Sequence, residues 1–207
     1  MKYQEQMMIV LALSMGSLAM PGETRASAEE DHHHHHSMAP AKMSVMRSIA
    51  AYTVPDVKLT DTSGNKVSLR EVLAGGKPVM LNFIYTSCTA VCPVMSATFS
   101  EVQAKLGADR DKISMVSISI DPEQDTPAKL KAYARKFGAG PQWQMLTGSA
   151  EESLAVQRAF ETYRGNKMNH EPVTFLRNAN GKSWVRIQGF ASADQLLSEH
   201  HQIMAMR

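Results

Sequence analysis

Residues 79–106, VMLNFIYTSCTAVCPVMSATFSEVQAKL, constrain the fold more than any other part of this 207-residue chain. Residues 79–85 form a nearly continuous apolar run, which is typical of a strand buried on both faces of a sheet. From Pro93 onward the apolar residues recur at three- and four-residue spacing, which predicts one face of a helix. The segment therefore predicts a buried strand that leads through a short turn into a helix.

The only two cysteines of the chain, Cys88 and Cys92, lie in that turn. If the turn is helical, a four-residue spacing places both sulfurs on one side. The start of a helix favours negative charge, so we expect a lowered thiol pKa there. Two such thiolates can close a disulfide or bind a soft metal such as Cu(I). A pair of buried structural cysteines, or a static disulfide, is the plainer alternative.

Residues 82–93, NFIYTSCTAVCP, resemble the signature of the SCO/SenC copper-chaperone family, a buried strand followed by N-F-x-Y-T-x-C-x-x-x-C-P. A second string, SIDPEQDTP at residues 119–127, resembles the same family. The resemblance extends in plan over residues 52–205. It implies a thioredoxin-like fold and a copper-binding role for Cys88 and Cys92.

Three histidines lie outside a run of five: His170, His200 and His201. We interpret His200 and His201 as polar surface or capping residues. His170 precedes a predicted core strand, in a loop near the strand ends where open α/β sheets place their sites. In the SCO family a histidine at this place completes the metal site, so the resemblance implies that His170 is a third ligand. Asn169 replaces the usual acidic residue, and a carboxylate would orient the ring better than an amide does.

The order of the predicted elements is that of an α/β protein. We expect a thioredoxin-like sandwich, with a central mixed sheet flanked by helices and an N-terminal β-hairpin. The predicted strands are 57–59, 66–68, 79–85, 113–120, 143–146, 173–177 and 183–188, and the predicted helices begin near residues 69, 93, 127, 150 and 193. We interpret Asp125 as a turn and cap residue, whereas Asp121, at the end of a strand, can face the site.

Residues 1–28 combine an early lysine, a short apolar stretch and an Ala-Ser-Ala segment. This order predicts a cleaved signal peptide and a periplasmic or otherwise extracytoplasmic protein. An uncleaved anchor is the alternative, and we expect membrane contact only in that case. Residues 29–51 are polar and aperiodic, which predicts a flexible arm with histidines and methionines. Its run His32–His36 fits either an engineered tag or a native metal-collecting arm. Residues 52–207 are predicted to form the thioredoxin-like domain.

Our leading interpretation is a copper metallochaperone that binds Cu(I) and Cu(II) through Cys88, Cys92 and His170. By resemblance, its partner is a copper-accepting subunit of a respiratory oxidase, or another copper or thiol protein. The first alternative is a thiol–disulfide oxidoreductase with Cys88 and Cys92 as its redox pair. Peroxidase chemistry and a copper-resistance or sensing module are weaker alternatives. A net charge of +2 without a basic run argues against nucleic acid as the main partner.

Overall fold

The computed structural model describes residues 45–205, and the strands and helices of this region alternate as in α/β proteins. The strands are β1 (Met46–Ala51), β2 (Lys58–Thr60), β3 (Lys66–Ser68), β4 (Val79–Ile84), β5 (Ser114–Ser119), β6 (Trp143–Leu146), β7 (Val173–Arg177) and β8 (Ser183–Gln188). The helices are α1 (Leu69–Leu73), α2 (Val91–Leu106), α3 (Pro127–Lys136), α4 (Ala150–Ala159) and α5 (Ala193–Ala205).

Six strands form one mixed sheet in the order β1-β8-β7-β4-β5-β6. Strands β4, β5 and β6 are parallel to each other, whereas β7 pairs antiparallel with β4. Strands β2 and β3 form a separate antiparallel hairpin. The sheet and the hairpin confirm the predicted thioredoxin-like architecture.

Strand β4 is buried along its whole length, and it separates two apolar cores. Met80 and Ile84 belong to a core that includes residues of α2, α3 and α5. Leu81 and Phe83 belong to the other core, which includes residues of α1, α4 and the hairpin. Successive side chains of a strand point to opposite faces, so a strand with helices on both sides needs apolar residues at nearly every position. This requirement explains the continuous apolar run in the sequence.

The domain begins earlier than predicted, because residues 46–51 form strand β1 rather than part of a flexible arm. All six residues pair antiparallel with β8, from Met46 opposite Gln188 to Ala51 opposite Ser183. Five of the six are exposed, since β1 is an edge strand. A mostly solvated strand has no alternation of apolar and polar residues, so the usual signal was absent. Residues 29–44 and the predicted signal peptide lie outside the described region.

Local capping chemistry sets the starts of three helices. Ser149 and Glu152 form a capping box at the start of α4, Thr126 caps α3, and Ser192 exchanges hydrogen bonds with Gln195 at the start of α5. Helix α4 ends at Ala159, and Glu161 adopts a φ of 54° just beyond it. Among residues 45–205, no helix combines the length and the hydropathy needed to cross a membrane.

Candidate metal and thiol site

The two cysteines lie where β4 ends and α2 begins, as the sequence predicts. Cys92 is in the first turn of α2, and its backbone N–H donates to Cys88 Sγ over 3.3 Å. The backbone N–H of Tyr85 donates to Cys92 Sγ over 3.4 Å. Both cysteines are free thiols, and Cys88 is partly exposed whereas Cys92 has 0% exposure. The turn therefore holds two neighbouring sulfurs, of which only one meets solvent.

The two thiols have opposite pKa shifts. Burial works to raise the pKa of Cys88, but hydrogen bonds from the backbone of Cys92 and Ala90 bring that pKa below its ordinary value. Burial raises the pKa of the Cys92 thiol strongly, and the neighbouring Cys88 adds to this shift. The expected lowering at the helix start is confirmed for Cys88 and wrong for Cys92, because desolvation outweighs the helix terminus at the fully buried position.

Asp125 anchors the loop that leads to Cys88, which corrects its interpretation as a turn and cap residue. Its buried carboxylate accepts hydrogen bonds from the Thr86 backbone N–H over 3.1 Å and from the Thr86 hydroxyl over 2.5 Å. It also accepts one from the Ser119 hydroxyl over 2.6 Å. The carboxylate thereby ties the end of β5 to the chain two residues before Cys88.

His170 is buried in the loop before β7, and its ring is oriented by the main chain. The Nε2 atom lies 3.0 Å from the carbonyl oxygen of Phe83 in β4. A carbonyl only accepts, so Nε2 carries the proton and Nδ1 keeps the lone pair. Burial also lowers the pKa of His170, which favours the neutral ring that metals require. The Phe83 carbonyl thus supplies the orientation that an acid at Asn169 would otherwise give.

One ion pair and one hydrogen bond tie the loop that carries His170 to neighbouring elements, and a second ion pair joins the two ends of the loop. Lys167 Nζ lies 2.5 Å from a carboxylate oxygen of Asp121, so Asp121 faces this loop as the sequence allowed. Arg164 and Glu171 pair over 3.0 Å, and Gln188 donates to the same Glu171 oxygen over 3.3 Å. Together these contacts hold the loop of residues 160–172 against β8 and against the end of β5.

Tyr85 connects the cysteine turn to the histidine loop, a role that its sequence pattern does not indicate. Its ring lies edge-on to the His170 ring, with 6.3 Å between centroids. Burial, and the neighbouring Cys88 side chain, raise the pKa of Tyr85 to about 12. The Tyr85 hydroxyl also donates to Met168 Sδ over 3.8 Å. Within residues 45–205, no three His, Cys, Asp or Glu side chains are grouped closely enough to hold a metal. The two cysteines are thus direct neighbours in the structure, whereas His170 is not grouped with them.

The two other histidines of the domain lie on α5. His201 is exposed, as expected, whereas His200 is buried, so its interpretation as a surface or capping residue is wrong. Its place on the apolar side of the helix, next to Leu196 and Ile203 in register, already indicated burial.

The fold and the site define a class of protein: a thioredoxin-like domain with a dithiol at the junction of a central strand and a helix. The SCO1/SenC family model matches residues 46–205, and the chain belongs to this family.

Known relatives agree in fold. The chain is 32% identical over 104 residues to the SCO1 protein homolog of Bacillus subtilis strain 168; the match covers 50% of this chain and 53% of the relative, so the chain spans about half of that protein's length. BsSco, described as a member of the Sco family of cytochrome c oxidase assembly proteins with a disulfide switch, matches with a TM-score of 0.65 and 25% identity over 78% of this chain and 99% of that one. The copper-bound structure of Bradyrhizobium japonicum ScoI matches with a TM-score of 0.60 and 28% identity over 74% of this chain and 99% of that one.

Proposed function

We propose that this protein is a copper metallochaperone whose cargo is held by Cys88 and Cys92. The observation that carries the proposal is the pair of neighbouring free thiols at the start of α2. Thiolates are the soft ligands that Cu(I) prefers, and Cu(I) accepts low coordination numbers. Two sulfurs on one turn are therefore a sufficient donor set for it. Copper bound to a related structure supports the same chemistry.

His170 is the third ligand in this proposal, and it matters most for Cu(II). Its Nδ1 lone pair is available because Nε2 is committed to the Phe83 carbonyl. Imidazole is a harder donor than thiolate, and Cu(II) favours nitrogen and oxygen around it. Thiolate and imidazole donors together suit both oxidation states. In this proposal copper draws His170 and the two cysteines together, because over residues 45–205 these side chains are not grouped closely enough to hold a metal.

The acceptor that we propose is a copper-receiving subunit of a respiratory oxidase, or another copper or thiol protein. The description of BsSco as a member of a family of cytochrome c oxidase assembly proteins supports the first choice. We also propose that the protein works in the periplasm or another extracytoplasmic compartment. The signal-like composition of residues 1–28 supports that location.

Single substitutions test the copper site. Cys88→Ser or Cys92→Ser should each abolish tight Cu(I) binding, because a single thiolate is left. His170→Ala should keep Cu(I) binding at reduced affinity and lose most of the Cu(II)–thiolate charge-transfer absorption. His201→Ala is the matched control, since this histidine is exposed on α5. An unchanged Cu(II) spectrum in His170→Ala would remove His170 from the site.

The asymmetry of the two thiols favours a second function, thiol–disulfide exchange. Cys88 is partly exposed with a lowered pKa, as an attacking cysteine should be, and Cys92 is buried behind it. Cys88 would attack a partner's disulfide and form a mixed disulfide. Cys92 would then displace the partner, so that two electrons reduce the partner while a Cys88–Cys92 disulfide forms.

Alkylation rates and a trapping variant test this second function. Iodoacetamide should modify Cys88 well before Cys92 in the native protein, and Cys92→Ser should accumulate the mixed disulfide with a disulfide substrate. If Cys92→Ser forms no more mixed disulfide than the wild type, Cys92 does not resolve it and the exchange function fails.

A further inference from the structure

Met168 places a third sulfur beside the cysteine turn. Its thioether accepts a hydrogen bond from the Tyr85 hydroxyl over 3.8 Å, and Cys88 is near enough to the same phenol to help raise the pKa of Tyr85. The phenol of Tyr85 therefore lies between the Met168 thioether, which it contacts, and the neighbouring Cys88. Met168 is 72% exposed, although large apolar side chains at the surface of this domain are few.

The exposure of the three sulfurs decreases from the surface inward. Met168 is the most exposed, Cys88 is partly exposed, and Cys92 is inaccessible. A metal ion that a donor protein delivers to this surface therefore meets Met168 and Cys88 before it can reach Cys92. An uncharged thioether is a soft ligand that binds Cu(I) without releasing a proton.

We propose that Met168 and Cys88 form an entry and exit position for Cu(I), separate from the final position between the two cysteines. This inference rests on the proposed copper function. On entry, the ion is held by the Cys88 thiolate and the Met168 thioether. The bond to Met168 then breaks as a bond to Cys92 forms, and the Cys92 thiol proton leaves to solvent. The copper stays Cu(I) throughout, so no electron is transferred.

The loop contacts are consistent with this role. The ion pair of Lys167 with Asp121 fixes the residue next to Met168, and the Lys167 ammonium lies 5.7 Å from the centre of the Tyr85 ring. Asn166 accepts from the Met168 backbone N–H over 2.9 Å. The backbone at Met168 is thus held within its loop, while its side chain contacts Tyr85 and reaches solvent.

The test uses the full-length reduced protein with 13C-labelled methionine methyl groups and Ag(I), a redox-inert probe with the ligand preference of Cu(I). In Cys92→Ser, where the ion cannot move on to the second cysteine, the Met168 methyl signal, assigned with Met168→Leu, should shift during the first equivalent of Ag(I). Cys88→Ser should abolish this shift. Met46 and Met204, which are exposed on β1 and α5, provide internal controls whose signals should not shift.

Transfer kinetics provide the second measurement. Met168→Leu should bind one Cu(I) as the wild type does but deliver it more slowly to a chromophoric chelator, whereas Met46→Leu should match the wild type. A Met168 signal that does not move, together with unchanged transfer, would overturn this inference and leave the dithiol site intact. If the wild-type protein itself binds no Cu(I) tightly, the proposed copper function is wrong, whatever Met168 does.

Discussion

Asp125→Ala should destabilise the domain strongly, because this buried carboxylate is the shared acceptor of three donors. They are the Thr86 N–H, the Thr86 hydroxyl and the Ser119 hydroxyl. A buried donor left without a partner costs about 1–3 kcal/mol, so even the lower end of this range gives a loss of roughly 3 kcal/mol in the free energy of unfolding. That is a large part of the roughly 5–15 kcal/mol that stabilises a typical domain.

Urea unfolding followed by far-UV circular dichroism measures this loss. With a slope of about 1–3 kcal/mol/M, the midpoint should fall by roughly 1–3 M while the slope stays constant. Asp56→Ala is the matched control, because Asp56 has an 80% exposed side chain and only a long ion pair at 3.9 Å; its effect should stay within about 0.5 kcal/mol. A change below about 1 kcal/mol for Asp125→Ala would refute the anchoring role.

Asp125→Asn separates charge from shape. The amide keeps the volume but offers one acceptor oxygen, and its NH₂ group would face a hydroxyl or an N–H donor. We expect the free energy of unfolding of Asp125→Asn to lie between those of the wild type and Asp125→Ala. We also expect faster alkylation of Cys88 in Asp125→Asn. Wild-type stability in Asp125→Asn would show that the charge of the carboxylate is not needed.

Two further predictions concern the histidine loop and the response to pH. Lys167→Gln removes the ion pair with Asp121, so amide exchange in residues 164–171 should become faster, with a stability loss of about 1 kcal/mol or less because Lys167 is partly exposed; equal protection in mutant and wild type would contradict this. Burial lowers the pKa of His200, so the unfolded chain takes up its proton first as the pH falls. Stability is therefore complete above the ordinary pKa near 6.5 and decreases as the pH falls from there through the folded pKa. His200→Leu should flatten this decrease in urea midpoints between pH 7.5 and 5.5, and an unchanged slope would refute the assignment.

The elements next to the site were predictable because their signals are local. The apolar run of β4, the helical spacing in α2 and the caps at Thr126 and Ser149 each lie within a few residues of what they determine. Strand β1 gave no such signal, since an exposed edge strand is specified mainly by pairing with β8, far away in the chain.

The position of the two cysteines in the fold was predictable, but the contacts that support them and His170 were not. Cys88 and Cys92 followed from spacing, and His170 from the family resemblance. The acceptor for His170 is a backbone carbonyl of Phe83, which any residue type could supply. The bond between Asp125 and Thr86 joins residues 39 positions apart, and only the assembled sheet brings them together. The opposite pKa shifts of the two thiols depend on burial, which the spacing of two cysteines does not determine.

The most direct test of the central claim compares Cu(I) binding by the reduced protein with binding by the protein whose two cysteines are joined in a disulfide. Competition with a chromophoric Cu(I) chelator gives the stoichiometry and the affinity in both states. The residues outside the dithiol are identical in the two samples, so any difference in tight binding comes from Cys88 and Cys92. We predict one tightly bound Cu(I) per reduced chain and none in the disulfide form. Equal affinity in the two states would show that the thiols do not hold the metal.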